Sequence, residues 1–379
     1  MRKLNNSRNF AIDLFCGAGG MTCGLIQAGF HVIAGVDKEN RCKETYIQNV
    51  NHDGSHAKFL NFDLFPSDEF HPDGQQSIAI NELMTILKEV NFSRENGDRL
   101  LIAVCAPCQP FTKISQIKLT NQRAFEQARD TNLLLVSLGI IEALKPDAIF
   151  CENVEGILKK NYILEQFSSL LDTAGYKTDA KVINAARFGV PQSRKRTICI
   201  AFKQPEKPEI PDCDPEATTP KVADIIGHLP PIKAGDVHPT IKNHCSRGLS
   251  PLNLKRISSI KPGTKNAQLK HTPFGDLRLE CHKKGNDSSF TDSYTRMEAD
   301  KISPTITTKF TSITNGRFGH YDTKQNRALS VKEGMLLQTF PENYVFYPEN
   351  SLSFPSILIG NAVPPKIANF FGKYISNLI

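Results

Sequence analysis

A glycine-rich run, Asp13-Leu14-Phe15-Cys16-Gly17-Ala18-Gly19-Gly20, lies between an apolar segment and a helical one. It constrains the fold of this 379-residue chain more than any other stretch. Phe10–Phe15 has the length and apolarity of a short buried strand. Met21–Ala28 reads as a helix closed by Gly29, where a left-handed residue is needed. His31–Val36 is the next strand and Glu39–Asn49 the next helix. Leu83, Ile86, Leu87 and Val90 fall at helical spacing, which predicts an amphipathic helix over about 78–91. Arg99–Cys105 reads as a strand, Asp130–Leu144 as a helix ended by Lys145-Pro146, and Asp147–Cys151 and Arg196–Phe202 as further strands. Strands alternating with helices predict an α/β fold, a largely parallel sheet covered by helices on both faces.

The texture changes near Lys203. From there to about Asn326, prolines, glycines and polar residues dominate, and Gln204–Pro220 alone holds five prolines. Helical patterns return at Ser330–Thr339 and Pro365–Leu378. The chain is therefore expected to divide into a first domain over 1–202, a smaller irregular domain over 203–326, and a return to the first over 327–379. The irregular part also carries the charge. Between His238 and Arg296 there are eleven basic side chains and four acidic ones, an excess equal to the +7 net charge of the whole chain. Phosphate contacts supply most non-specific nucleic-acid affinity, so such a lobe suits a duplex, although a solvated basic surface shows the same composition. Ten scattered cysteines, with no signal peptide, point to a reduced cytoplasm, and no apolar stretch approaches a membrane span.

Three constellations carry chemistry. The glycine loop lets a ligand approach the backbone at a helix N-terminus, and Asp37 places a carboxylate at the neighbouring strand tip, where a ribose diol is bound. The pattern is G-x-G-G rather than a full dinucleotide fingerprint, and no Lys-Ser/Thr follows as in a P-loop. It suits S-adenosylmethionine, which has a ribose and an adenine but no pyrophosphate; a purely structural glycine turn is the competing reading. Cys108, in Cys105-Ala106-Pro107-Cys108-Gln109-Pro110, follows a strand at the end where parallel sheets bind ligands, and the flanking prolines stiffen its loop. Cys105 lies within the strand, which disfavours a redox pair, and no second C-x-x-C exists for zinc; an isolated reactive thiolate remains. Glu152 follows the next strand at the same edge of the sheet, where it serves as catalyst or as helix cap. Alternation then puts Gln192, Arg194 and Arg196 on one side of an extended segment, suited to phosphate or carbonyl oxygens, as a solvated edge strand also is.

Taken in order, these segments resemble the cytosine-carbon-5 DNA methyltransferase family. The resemblance rests on DLFCGAGG at 13–20, Asp37, Asn61-Phe62-Asp63, Pro107-Cys108-Gln109, Glu152-Asn153-Val154 and Gln192-x-Arg194-x-Arg196. After the irregular stretch it resumes with Arg327-Ala328-Leu329-Ser330, Glu333, Leu337-Gln338-Thr339-Phe340-Pro341 and Gly360-Asn361-Ala362-Val363-Pro364-Pro365. It covers nearly the whole chain. It implies a methyltransferase sheet with a smaller target-recognition domain, S-adenosylmethionine as methyl donor, and double-stranded DNA as partner. Phe15, Cys16, Gly17, Ala18, Gly19, Gly20, Asp37, Lys38, Asp63, Leu64, Pro107, Asn361 and Val363 would line the cofactor pocket. Cys108 would add to carbon 6 of a flipped-out cytosine, Glu152 would hold ring nitrogen 3 and the exocyclic amine, and Arg196 with Arg194 would hold the carbonyl oxygen at position 2.

The stretch 65–98 is longer than the family's usual link and has no assigned role. His244-Cys245 and Cys281-His282 fit no standard zinc spacing, so no metal is expected. An RNA-directed relative would carry a Cys-Phe-Thr run late in the target lobe, where Lys309-Phe310-Thr311 stands here. Retention of Cys108, Glu152 and both arginines argues against a catalytically dead regulator. The first strand begins almost at once, which resembles the compact bacterial form that acts beside a restriction endonuclease. That enzyme would share the target sequence without direct contact, and a monomer is expected.

Overall fold

Strands buried on both faces satisfy their backbone groups only through neighbouring strands, and the apolar segments above pair in this way. The computed structural model describes residues 8–107, 133–160, 162–203, 206–283 and 291–379. Strands β1 (Asn9–Leu14), β2 (His31–Val36), β3 (Lys58–Leu60), β4 (Arg99–Val104), β5 (Ala148–Val154), β6 (Lys177–Asn184) and β8 (Lys195–Phe202) form one sheet in the order β3-β2-β1-β4-β5-β8-β6. β8 runs antiparallel to β5 and β6, and the remaining neighbours are parallel. The expected largely parallel sheet is thus observed.

Alternation along β5 shows how both faces are filled. Ile149 and Cys151 join a core with residues of helices α2 (Gln76–Glu89), α3 (Leu133–Leu144) and α4 (Tyr162–Thr173), among them Leu83, Ile140 and Phe167. Phe150 points the other way and meets Phe371 of the C-terminal helix at 5.7 Å between ring centroids. That helix, Pro365–Ser376, packs on α1 (Gly20–Gln27) across two glycines. A Cβ on Gly24 would stand 2.3 Å from the Pro365 carbonyl oxygen, and one on Gly372 would stand 2.7 Å from Ala28 Cβ, so neither position tolerates a side chain.

Two expected elements differ. The helix read over Glu39–Asn49 shrinks to a 3₁₀ turn at Asn40–Cys42 and one helical turn at Lys43–Tyr46, because the Asn49 amide folds back to donate to the Tyr46 carbonyl at 2.7 Å. The strand read as ending at Cys151 runs on to Val154, because β8 supplies ladder partners as far as Val154 opposite Arg196. Glu152 and Asn153 therefore lie inside the strand rather than after it.

By compactness the chain forms two units. One comprises Met1–Arg187, Lys195–Pro215 and Val363–Ile379; the other comprises Phe188–Arg194 and Glu216–Ala362. Residues 327–362, read from the sequence as part of the return to the first domain, group with the second unit, as does 188–194. Hydrogen bonds explain this: Gln192 and Arg194 are buried there, bonded to the segments around 306, 337 and 360. The second unit holds helices α5 (Pro251–Ser258), α6 (Val331–Leu337) and α7 (Ser353–Asn361), and a minimal parallel pair of β7 (Gln192–Ser193) with β9 (Ser303–Pro304). The C-terminal helix is α8. Among the described residues no helix is long and apolar enough to cross a membrane.

Candidate active site

β1 has β2 on one side and β4 on the other, so successive connections leave it in opposite directions and open a crevice at the carboxyl ends of the strands. The glycine loop lies there. Phe15, Gly17 and Gly19 all have positive φ (60°, 48° and 80°), which turns the chain sharply from β1 into α1. A Cβ on Gly19 would stand 2.3 Å from Asn49 Nδ2, so only glycine closes this turn. Ala18, Gly20 and the Cys16 side chain are buried beneath it, and burial, with the charges of Asp37 and Asp13, pushes the Cys16 thiol well above its usual range.

Asp37, at the tip of β2, accepts the Gly17 N–H on one oxygen at 2.9 Å and the Glu39 N–H on the other at 2.8 Å. Burial raises its pKa, against the lowering by these bonds. Lys38 is exposed, and Asn61 donates to the Asp37 carbonyl at 3.0 Å. Asp63 and buried Leu64 follow β3, and a recess beside them is lined by Lys38, Glu39, Asn61, Asp63, Asp73 and Gln75. Sequence reasoning missed Asp73 and Gln75: they belong to the unassigned insertion, and only its folding back brings them here.

Asp13 lies beneath the loop, fully buried. Its Oδ2 accepts the Thr22 hydroxyl at 2.7 Å and the Thr22 N–H at 3.2 Å, while its Oδ1 has no partner among the described residues. Burial raises its pKa from 3.8 to about 7. A carboxyl whose folded pKa lies above its unfolded value costs stability as pH rises between the two. Asp13→Asn is therefore expected to raise the thermal midpoint relative to wild type at pH 8 more than at pH 5, as scanning calorimetry at both values would show. An equal difference at the two pH values would mean that the carboxyl is ionised in the folded protein throughout.

On the far side of the crevice, β4 leads through Cys105 and buried Ala106 to exposed Pro107. Cys108 lies outside the described residues. Burial pushes the Cys105 thiol well up, which makes it a poor thiolate. Asn153 donates from Nδ2 to the Ala106 carbonyl at 3.3 Å and so ties the end of β5 to the segment entering Pro107-Cys108. Glu152 and Arg196 lie on one face of the β5–β8 ladder as diagonal neighbours, and Arg196 Nε stands 2.9 Å from Glu152 Oε1. The contact compensates charge without hydrogen-bond alignment, and Oε1 keeps its acceptor capacity.

Arg194 does not accompany Arg196. It is 1% exposed and donates to the Ile306, Gly360 and Ala362 carbonyls at 3.1–3.2 Å. Gln192 donates to the Leu337 carbonyl and Gln338 Oε1, and Gln338 in turn donates to the Ala362 carbonyl. The expected one-sided display of three residues fails because the segment crosses from one unit to the other at Arg194. The turn so held presents Asn361 exposed, followed by buried Val363. His244 has both ring nitrogens engaged, by Ser330 Oγ and the Pro230 carbonyl.

A mostly parallel sheet with a glycine loop and a strand-tip acid at the topological switch suits a methyltransferase that uses S-adenosylmethionine as methyl donor. A profile of the C-5 cytosine-specific DNA methylases matches residues 10–377, and the chain belongs to that family. It is 33% identical over 372 residues to the type II methylase M.HgiDII of Herpetosiphon aurantiacus, covering 97% of this chain and 95% of that one. To the type II methyltransferase M1.HphI of Haemophilus parahaemolyticus it is 31% identical, covering 96% and 86%. Among solved structures, a protein described as a DNA modification methyltransferase encoded within an E. coli prophage aligns with a TM-score of 0.67 at 20% identity, over 98% of this chain and 99% of that one. S. pombe Dnmt2 aligns with a TM-score of 0.56 at 17% identity, over 98% and 99%. The chain is a DNA cytosine-5 methyltransferase, and DNA is its substrate.

Proposed function

We propose that this enzyme methylates carbon 5 of one cytosine in a specific duplex sequence through a covalent adduct of Cys108, and that it protects host DNA beside a restriction endonuclease. The observation that carries the residue assignment is the Glu152–Arg196 pair next to the segment entering Cys108. Carbon 5 of cytosine is a weak nucleophile. The Cys108 thiolate adds to carbon 6, and the electron pair of the C5–C6 double bond becomes available at carbon 5. Glu152 holds a proton at ring nitrogen 3 and accepts from the exocyclic amine, while Arg196 donates to the carbonyl oxygen at position 2 and keeps Glu152 oriented. Bound S-adenosylmethionine supplies an electrophilic methyl at its sulfonium. Loss of the carbon-5 proton to a base and breaking of the C6–S bond then restore the aromatic ring. Arg194, with its guanidinium donors on carbonyls, supports the 360–362 turn rather than the base.

The glycine loop, Asp37, Lys38, Asp63, Leu64, Pro107, Asn361 and Val363 hold the cofactor on this reading. Asp37 already accepts backbone N–H groups and retains lone pairs for a ribose diol. Asp37→Ala is expected to weaken S-adenosylmethionine binding by about 1–3 kcal/mol in titration calorimetry; unchanged affinity would make the acid purely structural. The 203–326 segment, with its excess of basic residues, reads the duplex, and the target base is flipped out because neither reacting carbon is reachable within a stack. The type II relatives support a restriction–modification setting; on the same reading the enzyme is a cytoplasmic monomer that shares a target sequence, not a contact surface, with its endonuclease. Transfer of labelled methyl to duplex DNA and to bulk tRNA tests the reading. Label at cytosine carbon 5 in DNA, in one sequence context, is the expected result, and label in tRNA alone would overturn the duplex substrate.

A further inference from the structure

The insertion between β3 and β4 is stitched to the end of β3. Gln75 N–H donates to the Asp63 carbonyl at 2.9 Å and Gln76 N–H to the Phe65 carbonyl at 3.0 Å. Gln76 Nε2 donates to the Leu64 and Val136 carbonyls at 3.0 and 2.8 Å. Gly139 leaves room for that side chain, since a Cβ there would stand 2.4 Å from Gln76 Oε1. His71 stacks on Phe65 with ring centroids 3.9 Å apart and planes 5° apart, which holds the intervening loop down. Residues 66–74 thus form a closed loop with pinned ends, and Asp73 and Gln75 return to the wall of the recess beside Asp63.

The Gln75 carboxamide is used on one side only. Its Oε1 accepts the Asp63 N–H at 3.1 Å, and its Nε2 has no acceptor among the described residues while Gln75 lines the recess. Asp63 Oδ1 is taken by the Phe65 N–H at 3.1 Å, so the carboxylate has a fixed orientation. A fixed carboxylate next to a carboxamide N–H₂ is complementary to adenine, which presents an exocyclic amine donor beside ring-nitrogen acceptors. Resting on the reading of Asp37 and Asp63 as cofactor residues, we propose that the insertion completes the adenine pocket. In it Gln75 donates from Nε2 to an adenine ring nitrogen and through Oε1 positions Asp63. The added length between β3 and β4 then serves cofactor selection, not DNA contact.

Calorimetric titration of the full-length protein with S-adenosylmethionine tests this with Gln75→Ala, Gln75→Glu and Asp37→Ala, alongside the KM for cofactor and for DNA. Gln75→Glu keeps the Oε1 acceptor for Asp63 and replaces the donor by an acceptor, so it separates recognition from positioning even if Gln75→Ala folds poorly. The expected result is cofactor affinity lowered about tenfold in both Gln75 variants, with the KM for S-adenosylmethionine rising in step and the KM for DNA unmoved. Adenosine as a competitor should weaken by the same factor, because the lost contact is to the base. Gln75→Glu within twofold of wild type while Asp37→Ala weakens binding would overturn the inference alone. Asp37→Ala and both Gln75 variants at wild-type affinity would remove the cofactor reading of the recess, and the inference with it.

Discussion

Cys108→Ser is expected to reduce methyl transfer by about four orders of magnitude or more while leaving cofactor and DNA binding in place. A serine hydroxyl stays protonated at neutral pH and is a far poorer nucleophile toward an unactivated pyrimidine than a thiolate, so carbon 5 is never made electron-rich. Among the described residues neither Cys105 nor Cys16, at this edge of the sheet, is suited to replace it. Cys105, three residues earlier, has its thiol pushed up by burial, and the Cys16 thiol beneath the glycine loop is pushed up by burial and the charges of Asp37 and Asp13. Glu152 and Arg196 remain paired in the variant and still recognise the base, so the loss belongs in kcat and not in the KM for DNA. Duplex carrying 5-fluorocytosine at the target gives a second readout. Fluorine cannot leave as a proton does, so wild type should be trapped as a species stable to denaturing electrophoresis and the variant should not. Turnover by the variant within tenfold of wild type would remove the covalent mechanism.

The sequence made the crevice legible because its parts are local. A strand, a glycine turn, a helix and an acid at the next strand tip need no distant partner to be recognised, and Gly17 does meet Asp37. What failed was set by long-range pairing. Glu152 lies inside β5 because β8, more than forty residues later, extends the ladder to Val154. Alternation placed Arg194 beside Arg196, but period two holds only while one sheet continues, and there the chain leaves β8's sheet for carbonyls at 306, 360 and 362. Gln75 carried no signal, because a glutamine acquires meaning only from what the folded loop brings to it. The block Arg327-Ala328-Leu329-Ser330 with Glu333 was legible as a pattern and silent about its purpose, which the packing of the second unit now supplies.

Glu333→Ala is expected to destabilise the protein by about 3–5 kcal/mol, measured as a fall in the urea midpoint of the transition that reports the second unit. Arg327 and Glu333 are 0% and 1% exposed, and the carboxylate takes both guanidinium branches, at 2.8 and 2.6 Å. The same carboxylate accepts the Ser330 N–H at 2.8 Å, while the Ser330 hydroxyl accepts the Glu333 N–H, a capping box that starts α6. His320 Nε2 stands 3.4 Å away. Alanine removes the cap and leaves a guanidinium buried without its counter-charge, and the second loss dominates. Burial alone would raise the Glu333 pKa, but the charge and hydrogen bonds of Arg327 outweigh it and hold the carboxyl well below the usual range. A carboxyl lowered in the folded state contributes in full above its unfolded pKa, about 4.3, and loses that contribution only as pH falls through the folded value. Wild type and variant should therefore differ undiminished from pH 8 down to about pH 5 and converge only in strong acid. Pairing Arg327→Met with Glu333→Leu separates the two causes: removing both charges together should recover most of the loss, since the cost lies in the orphaned charge. A double variant as unstable as Glu333→Ala would place the cost in the cap and the packing of α6 instead.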